Sequence, residues 1–289
     1  DLPPTPARTK TSSTFVDNMK LPVHRWFRYS AGFSADWAEE VIAEAKRAGP
    51  VSVLDPFAGA GTTLLAAEKQ GVPCCGVEAH PFVARVAKAK LLYRTDSDAY
   101  LDRAQETKRR ALRMQGHVDD YPALIRKCFD DDALAGLDQL RRAWAESEDG
   151  SPASELVWLT IVSILRSVSH AGTAPWQYVL PRKSKKTPLG PIKAYDLMVQ
   201  TIAADMGASR AATGPAAILV GGDARTCEGV ADDFADLVVT SPPYANNYDY
   251  ADATRLEMCF FGEINGWGDL QRAVRERLVR SCSQHVPER

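Results

Sequence analysis

Near its C-terminal end the chain reads ADLVVTSPPY (235–244), an apolar run that ends on a hydroxyl, two prolines and an aromatic ring. Proline has no N–H to donate and drives the residue before it into extended geometry, so Pro242 and Pro243 stop a strand here and hold its tip rigid. Ser241, Pro242, Pro243 and Tyr244 therefore present a hydroxyl oxygen, fixed carbonyls and an aromatic face at a strand end. Far upstream, LDPFAGAGTT (54–63) sets Gly59 and Gly61 where an apolar strand turns into a helix. Glycine there permits positive φ and removes the Cβ that would keep a ligand from the backbone, although a spaced glycine pair alone reads equally as a tight turn.

Acids follow the strands. Asp55 ends the first, Glu78 ends the next, and Asp223 ends the strand that follows a long interval. Glu78 stands where a carboxylate takes the hydroxyls of a ribose, and Asp223 stands where one could receive an adenine amino group. Either acid alone reads equally as a solvated strand-end residue; together with Asp55 they ring the crevice where such sheets bind ligands. The turn is not a nucleotide triphosphate loop, because no lysine follows the second glycine, and it does not match the dinucleotide GxGxxG pattern. A ligand that carries adenosine but no phosphate, with a cationic end near Asp55, fits better, and S-adenosylmethionine has that shape.

The elements that must position these groups are legible around them. SADWAEEVIAEAKRAG (34–49) has a serine cap, early acids, late bases and a glycine stop, all of which favour a helix. VSVLD (51–55) reads as a buried strand, GTTLLAAEKQG (61–71) as a helix, CCGVEA (74–79) as a second strand and HPFVARVAKAKLLY (80–93) as a third helix. Strand, glycine turn, helix, strand is the unit of a doubly wound parallel sheet. AAILVGGDAR (216–225) and ADLVVTSPP (235–243) resume the sheet. The interval between carries apolar residues at three- and four-residue spacing and reads as helices only. ADATRLEMCFFGE and DLQRAVRERLVRSCSQH, near the end of the chain, also read as helical. The expected division is a flexible arm over 1–20, a cofactor-binding half over 21–96, a helical insertion over 97–205 and a catalytic half over 206–289.

Composition narrows the class. At 289 residues, 45% hydrophobic and 25% charged, the chain has enough apolar residues for one large core or two modest ones, and a net charge of −2 gives no global attraction to nucleic acid. Six scattered cysteines without CxxC or zinc-ligand spacing read as reduced thiols, and no apolar run approaches a membrane span. A cytoplasmic protein is expected.

DPFAGAGTT together with TSPPY resembles the two signature motifs of the DNA amino-methyltransferases, enzymes that methylate the exocyclic amine of cytosine or adenine. HRWFRYSAGFS (24–34) is similar to that family's further cofactor motif, an aromatic segment that closes over the methionine part. The resemblance covers roughly 20–93 and 214–262. It implies a Rossmann-like methyltransferase sheet, S-adenosylmethionine as cofactor, DNA as partner and no metal. Residue by residue, it implies cofactor binding by Ser30, Phe33, Asp55, Pro56, Phe57, Gly59, Gly61, Thr62, Thr63, Glu78, Asp223 and Ala224, and catalysis by Ser241, Pro242, Pro243 and Tyr244. An aryl amine is a poor nucleophile, and two acceptors, the Ser241 hydroxyl and the Pro242 carbonyl, would favour a pyramidal nitrogen aimed at the methyl group. Tyr244 would stack on a base flipped out of the duplex. Serine at the first motif position more often accompanies cytosine N4 than adenine N6 methylation, and the setting would be restriction-modification, epigenetic marking or phage defence.

Two departures stand out. The helical interval is far longer than a sheet crossover needs, and its basic loop, with Arg182, Lys183, Lys185 and Lys186, is either a contact for DNA phosphates or a solvated surface loop. The family fold also places three more strands beside the catalytic one. Without them that strand would be an open edge, so either the chain is incomplete or a second chain supplies the rest. Two alternatives remain open: an RNA guanine-N2 methyltransferase, which usually has Asp where this chain has Ser241, and a methyltransferase-like DNA-binding subunit.

Overall fold

The computed structural model describes residues 16–171, 187–209, 214–244 and 248–281. Its centre is a parallel sheet of β1 (Val53–Asp55), β2 (Cys74–Glu78), β3 (Ile218–Gly221) and β4 (Leu237–Val238), in the spatial order β3-β2-β1-β4. Val53 pairs with Cys74 on one side and Leu237 on the other, and Cys75 pairs with Ile218. This is the Rossmann-like order, and it sets a topological switch point between β1 and β4. A crevice must open there, beyond the carboxyl ends of the two strands that carry the motifs.

Local chemistry explains the elements around the sheet. Helix α1 (Ala35–Ala48) starts where the Ser34 hydroxyl accepts the Trp37 N–H, and it stops at Gly49. Helix α2 (Thr62–Gln70) lies between Gly61 and Gly71, both in left-handed backbone, as its N- and C-caps. Helix α3 (Pro81–Leu91) has proline in its first turn. A buried cluster of Ala38, Ile42, Leu64, Ala67 and Ala87 with Val53, Leu219 and Val239 seals one face of the sheet under these helices. The other face presents the cross-strand row Ile218, Cys75, Leu54 and Val238, of which Ile218 and Val238 are 61% and 55% exposed.

Among the described residues, the interval between β2 and β3 carries, after α3, the helices α4 (Ser97–Ala111), α5 (Ala123–Arg126), α6 (Asp131–Ala145), α7 (Pro152–Val168) and α8 (Pro191–Ser209). These helices form no core of their own. Their buried side chains, with Trp158, Tyr100 and Leu137 at the centre, are continuous with Phe82 and Val86 of α3 and with Trp26 and Phe27 of the N-terminal segment.

Several expectations change. Within the stretch expected as an arm over 1–20, the described residues 16–20 are folded: Asn18 is buried, donates to the Phe33 carbonyl and accepts the Ala35 N–H. The expected C-terminal helix shrinks to α10 (Leu270–Ala273) and a 3-10 turn over Arg275–Arg277. Its predecessor α9 (Arg255–Phe261) forms as read. The helical pattern fails after Ala273 because Arg275 is drawn inward onto Asp249, with both side chains buried, and Leu278 is extended. Further sheet beside β4 is not found among the described residues, where β4 pairs with β1 alone. The described cysteines are free thiols, and among these residues no helix is long and apolar enough to cross a membrane.

One buried charge stands apart from the sheet. Lys90 on α3 is almost fully enclosed and, among the described residues, donates only to the His24 carbonyl at 3.2 Å, and burial pushes its ammonium down from 10.5 to about 7. Between those values the unfolded chain holds a proton that the folded chain releases, so this lysine destabilises the fold increasingly as pH falls through that window. Lys90→Met is expected to be more stable than the parent at pH 7, with the advantage narrowing toward pH 10 in urea unfolding. A constant difference across that range would contradict the assignment.

Candidate functional site

The site grows from the end of β1. Asp55 is fully buried. Its Oδ1 accepts the Phe57 N–H at 3.0 Å and the Thr240 hydroxyl at 2.7 Å, while Oδ2 accepts the Thr63 hydroxyl at 2.6 Å. One carboxylate therefore joins the glycine turn, the start of α2 and the residue just before Ser241. Burial pushes its carboxyl above the ordinary range, while the hydrogen bonds from Thr63, Thr240 and the Phe57 amide pull the other way. With both oxygens on the chain's own donors, Asp55 sits beneath the crevice rather than in it. Asp55, expected near the cationic end of a ligand, serves in the fold as an internal strut between these segments.

Glu78 builds the second wall. It accepts the Gly59 N–H on Oε2 and the His80 N–H on Oε1, each at 2.7 Å. Burial raises it from 4.5 to about 7; the two backbone donors oppose that rise and the nearby charge of Asp55 adds to it. Gly59 has φ of 52°, and a Cβ there would meet the Tyr29 ring at 3.2 Å, so its missing side chain makes room for an aromatic wall. Beyond Glu78, His80 is buried within 2.8 Å of the Thr254 hydroxyl, and burial lowers its ring to about 3.

Two adjoining cavities open beyond the carboxyl ends of the strands, the smaller at the switch point between β1 and β4 and the larger beside the ends of β2 and β3. The larger, about 750 Å³, runs between Glu78, Ala79, Gly222 and Asp223 and along α3 past Pro81, Arg85 and Lys88. Its volume suits a nucleoside-sized ligand. The smaller, about 60 Å³, is enclosed by Pro56, Phe57 and Gly59 on one side and Ser241 and Pro243 on the other, with Glu78, Asp223 and Ala224 at the join. The glycine turn and the double-proline tip, far apart in the chain, thus face each other across a narrow gap.

The remaining expected residues sit around this core. Gly61, Thr62 and Thr63 form the start of α2 beneath the turn. Ser30 is within 2.9 Å of the Tyr248 hydroxyl, and Phe33 packs edge-on against Trp37 rather than lining either cavity. Asp223 reaches the crevice, but its carboxylate pairs with the guanidinium of Arg225, which lowers it. Tyr244 stands 60% exposed at the mouth. Among the described residues, nothing donates a hydrogen bond to the Ser241 hydroxyl or the Pro242 carbonyl. Arg182, Lys183, Lys185 and Lys186 lie outside the described residues.

Sequence reasoning missed several wall residues. Tyr29, His80, Tyr250, Arg277, Leu278 and Val279 all line the smaller cavity. Tyr29 and Tyr250 lie inside or beside the motifs, as unusually dense aromatic positions. The segment over 277–279 carries no local signal, because a long-range ion pair brings it there.

Asp55→Asn leaves one acceptor oxygen for donors that now use two. It is expected to lower the unfolding free energy by about 1–3 kcal/mol, and Thr240→Val by about 1 kcal/mol, in urea titrations. The raised Glu78 carboxyl makes the folded chain bind the extra proton between 4.5 and about 7. Its contribution to stability is therefore complete below 4.5 and lost as pH rises through 7. Glu78→Gln should flatten that part of the stability–pH curve; an unchanged slope would show that Glu78 does not hold the proton.

Comparison with known proteins associates this architecture with methyltransferases. The chain is 24% identical over 275 residues to the type II methyltransferase M.AvaI of Nostoc sp. and to that of Anabaena variabilis, with 86% of this chain and 56% of each relative covered. It is also 24% identical over 277 residues to the type II methyltransferase M.BsoBI of Geobacillus stearothermophilus, with 86% and 54% covered. No family model matches the chain. The chain spans a little over half the length of these relatives, and over that span it is similar in sequence to type II methyltransferases.

Proposed function

We propose that the chain is the catalytic part of an S-adenosylmethionine-dependent DNA methyltransferase that modifies an exocyclic amine of a flipped base, cytosine N4 ahead of adenine N6. The observation that carries this reading is the gap between Gly59 and Ser241, with acceptors on the Ser241 hydroxyl and the Pro242 carbonyl that no donor among the described residues claims. The likeness to type II methyltransferases supports it, and Ser241 supports cytosine by the resemblance of its motif.

The residues fit the cofactor. A cavity of about 750 Å³ holds a nucleoside, and Glu78 and Asp223 line it where ribose and adenine would need acceptors. When bound there, S-adenosylmethionine supplies a methyl group on a positively charged sulfur, which keeps the bonding electrons when the methyl leaves. Glu78, Ala79, Gly222 and Asp223 would hold its nucleoside, with Phe57 and Gly59 lining the adjoining space beside the tip.

The chain's own groups then act on the base. The Ser241 hydroxyl oxygen and the Pro242 carbonyl each accept one N–H of the target amine, which withdraws its lone pair from the ring and directs it into the gap. Tyr244, exposed at the mouth, stacks on the base and returns about 1–3 kcal/mol against an unstacking cost of similar size. Serine is too weak a base to remove the amine proton before transfer, so the proton leaves with or after the methyl's arrival. Positioning, not general base catalysis, carries the rate. The helices over 97–205, with the basic loop that includes Arg182, Lys183, Lys185 and Lys186, serve in this reading to recognise DNA or a partner.

Incubation with labelled cofactor and DNA, followed by nucleoside analysis, is expected to yield N4-methylcytosine. Label in RNA alone would overturn the reading, and label on adenine would overturn the choice of base. Ser241→Ala is expected to lower transfer at least a hundredfold while cofactor affinity stays within about twofold, the pattern of an interaction that matters in the transition state alone. Equal loss of both would remove the role assigned to that hydroxyl.

A further inference from the structure

Tyr248, Asp249 and Tyr250 are consecutive, yet each holds a different wall of the crevice. The Tyr248 hydroxyl lies 2.9 Å from that of Ser30, in the aromatic segment before α1. Asp249 is fully buried and accepts Arg275 Nε and Nη2 at 3.1 and 2.5 Å, and the residues just after Arg275 line the smaller cavity. The Ser281 hydroxyl donates to the Tyr248 carbonyl at 2.9 Å, fastening that segment a second time. Tyr250 turns back toward the tip. Its hydroxyl accepts the Tyr244 N–H at 3.0 Å, and its ring packs edge-on against Tyr248 at 4.8 Å.

The bond to Tyr244 has unusual weight because of what the tip lacks. Pro242 and Pro243 have no N–H, so no amide of their own can tie them to the rest of the fold. On the side toward the mouth, the first backbone donor is that of Tyr244, and it goes to Tyr250. On the other side the tip is held through Thr240 and Asp55. Between these two fastenings lie the hydroxyl and the carbonyl that take the amine in the function proposed above.

We propose that Tyr250 is a positioning residue for methyl transfer: its hydroxyl fixes the Tyr244 amide and with it the aim of the Pro242 carbonyl. The buried pair of Asp249 and Arg275 holds Tyr250 in register with the tip. The assignment rests on the methyltransferase reading, and it concerns the rate of the chemical step rather than the affinity for either ligand.

Tyr250→Phe in the full chain tests it, since the ring and its packing on Tyr248 are kept and only the acceptor is lost. Single-turnover transfer from labelled S-adenosylmethionine to duplex DNA should slow roughly tenfold or more, the factor a lost hydrogen bond commands. Dissociation constants for DNA and for S-adenosylhomocysteine, read by calorimetry, should stay within about twofold, and exchange of the Tyr244 amide with solvent should quicken. An unchanged transfer rate, or parallel losses in rate and binding, would overturn the assignment. So would Tyr244 amide exchange equally slow in parent and variant, a readout that needs no activity. A parent chain that methylates no DNA is a separate result: it overturns the functional reading and this assignment with it.

Discussion

The carboxylate of Asp55 is the joint on which the site depends. A charge with no exposed surface is tolerated only if its oxygens are matched by donors, and here the three donors come from three segments: the glycine turn, the first turn of α2 and the end of β4. Satisfying that one group therefore fixes the relative position of residues 55–63 and 240–244. Strand order does the rest. With β4 beside β1, the loops after these strands leave in the same direction and must part around a crevice. The position of the crevice follows from topology, and its width follows from the strut.

Glu78 makes a second, weaker joint with a different character. Its two donors are backbone amides, so it shapes the main chain: the Gly59 N–H is turned toward it, and left-handed backbone at Gly59 is the conformation that allows this. Unlike Asp55, it also lines both cavities. Its carboxyl is pulled up by burial and by the nearby charge of Asp55, so a ligand that brings hydroxyl donors would favour the ionised form and find a partner ready to gain from it. One acid is thus closed by the protein itself while the other is left with something to gain from a ligand.

How far the sequence foretells this arrangement depends on the range of the interactions. Around residues 34–91 it is nearly complete, because a serine cap, bounding glycines and a strand of five buried residues all act locally. The convergence of the two motifs was legible as well, since each sits at a strand end and parallel strands put such ends on one rim. What escaped was set by individual side-chain contacts, the most consequential of them long-range. The pattern over 269–285 has helical spacing, but its helix ends once Arg275 is drawn onto Asp249, and local periodicity carries no trace of that pair. The motifs also gave no sign that Arg225, two residues on, folds back onto Asp223, or that Ser30 and Phe33 find partners in Tyr248 and Trp37.

The helical layer bears on the site through support rather than through a separable module. Arg166 of α7 pairs with the buried Glu257 and also donates to the Ala253 carbonyl. The next residue, Thr254, shares a hydrogen bond with His80, whose own N–H is held by Glu78. A continuous set of polar contacts therefore runs from the middle of the layer to the wall of the crevice, alongside the apolar core that α7 shares with α3. Such a chain of contacts is not evidence of communication, which would need two alternative arrangements that a ligand could bias. A single, fully packed arrangement has a simpler consequence. Through Arg166, Glu257, Thr254 and His80, the long interval between the motifs braces the chain after β2 and β4 against one surface, and the width of the gap between the two fastened tips is set with it.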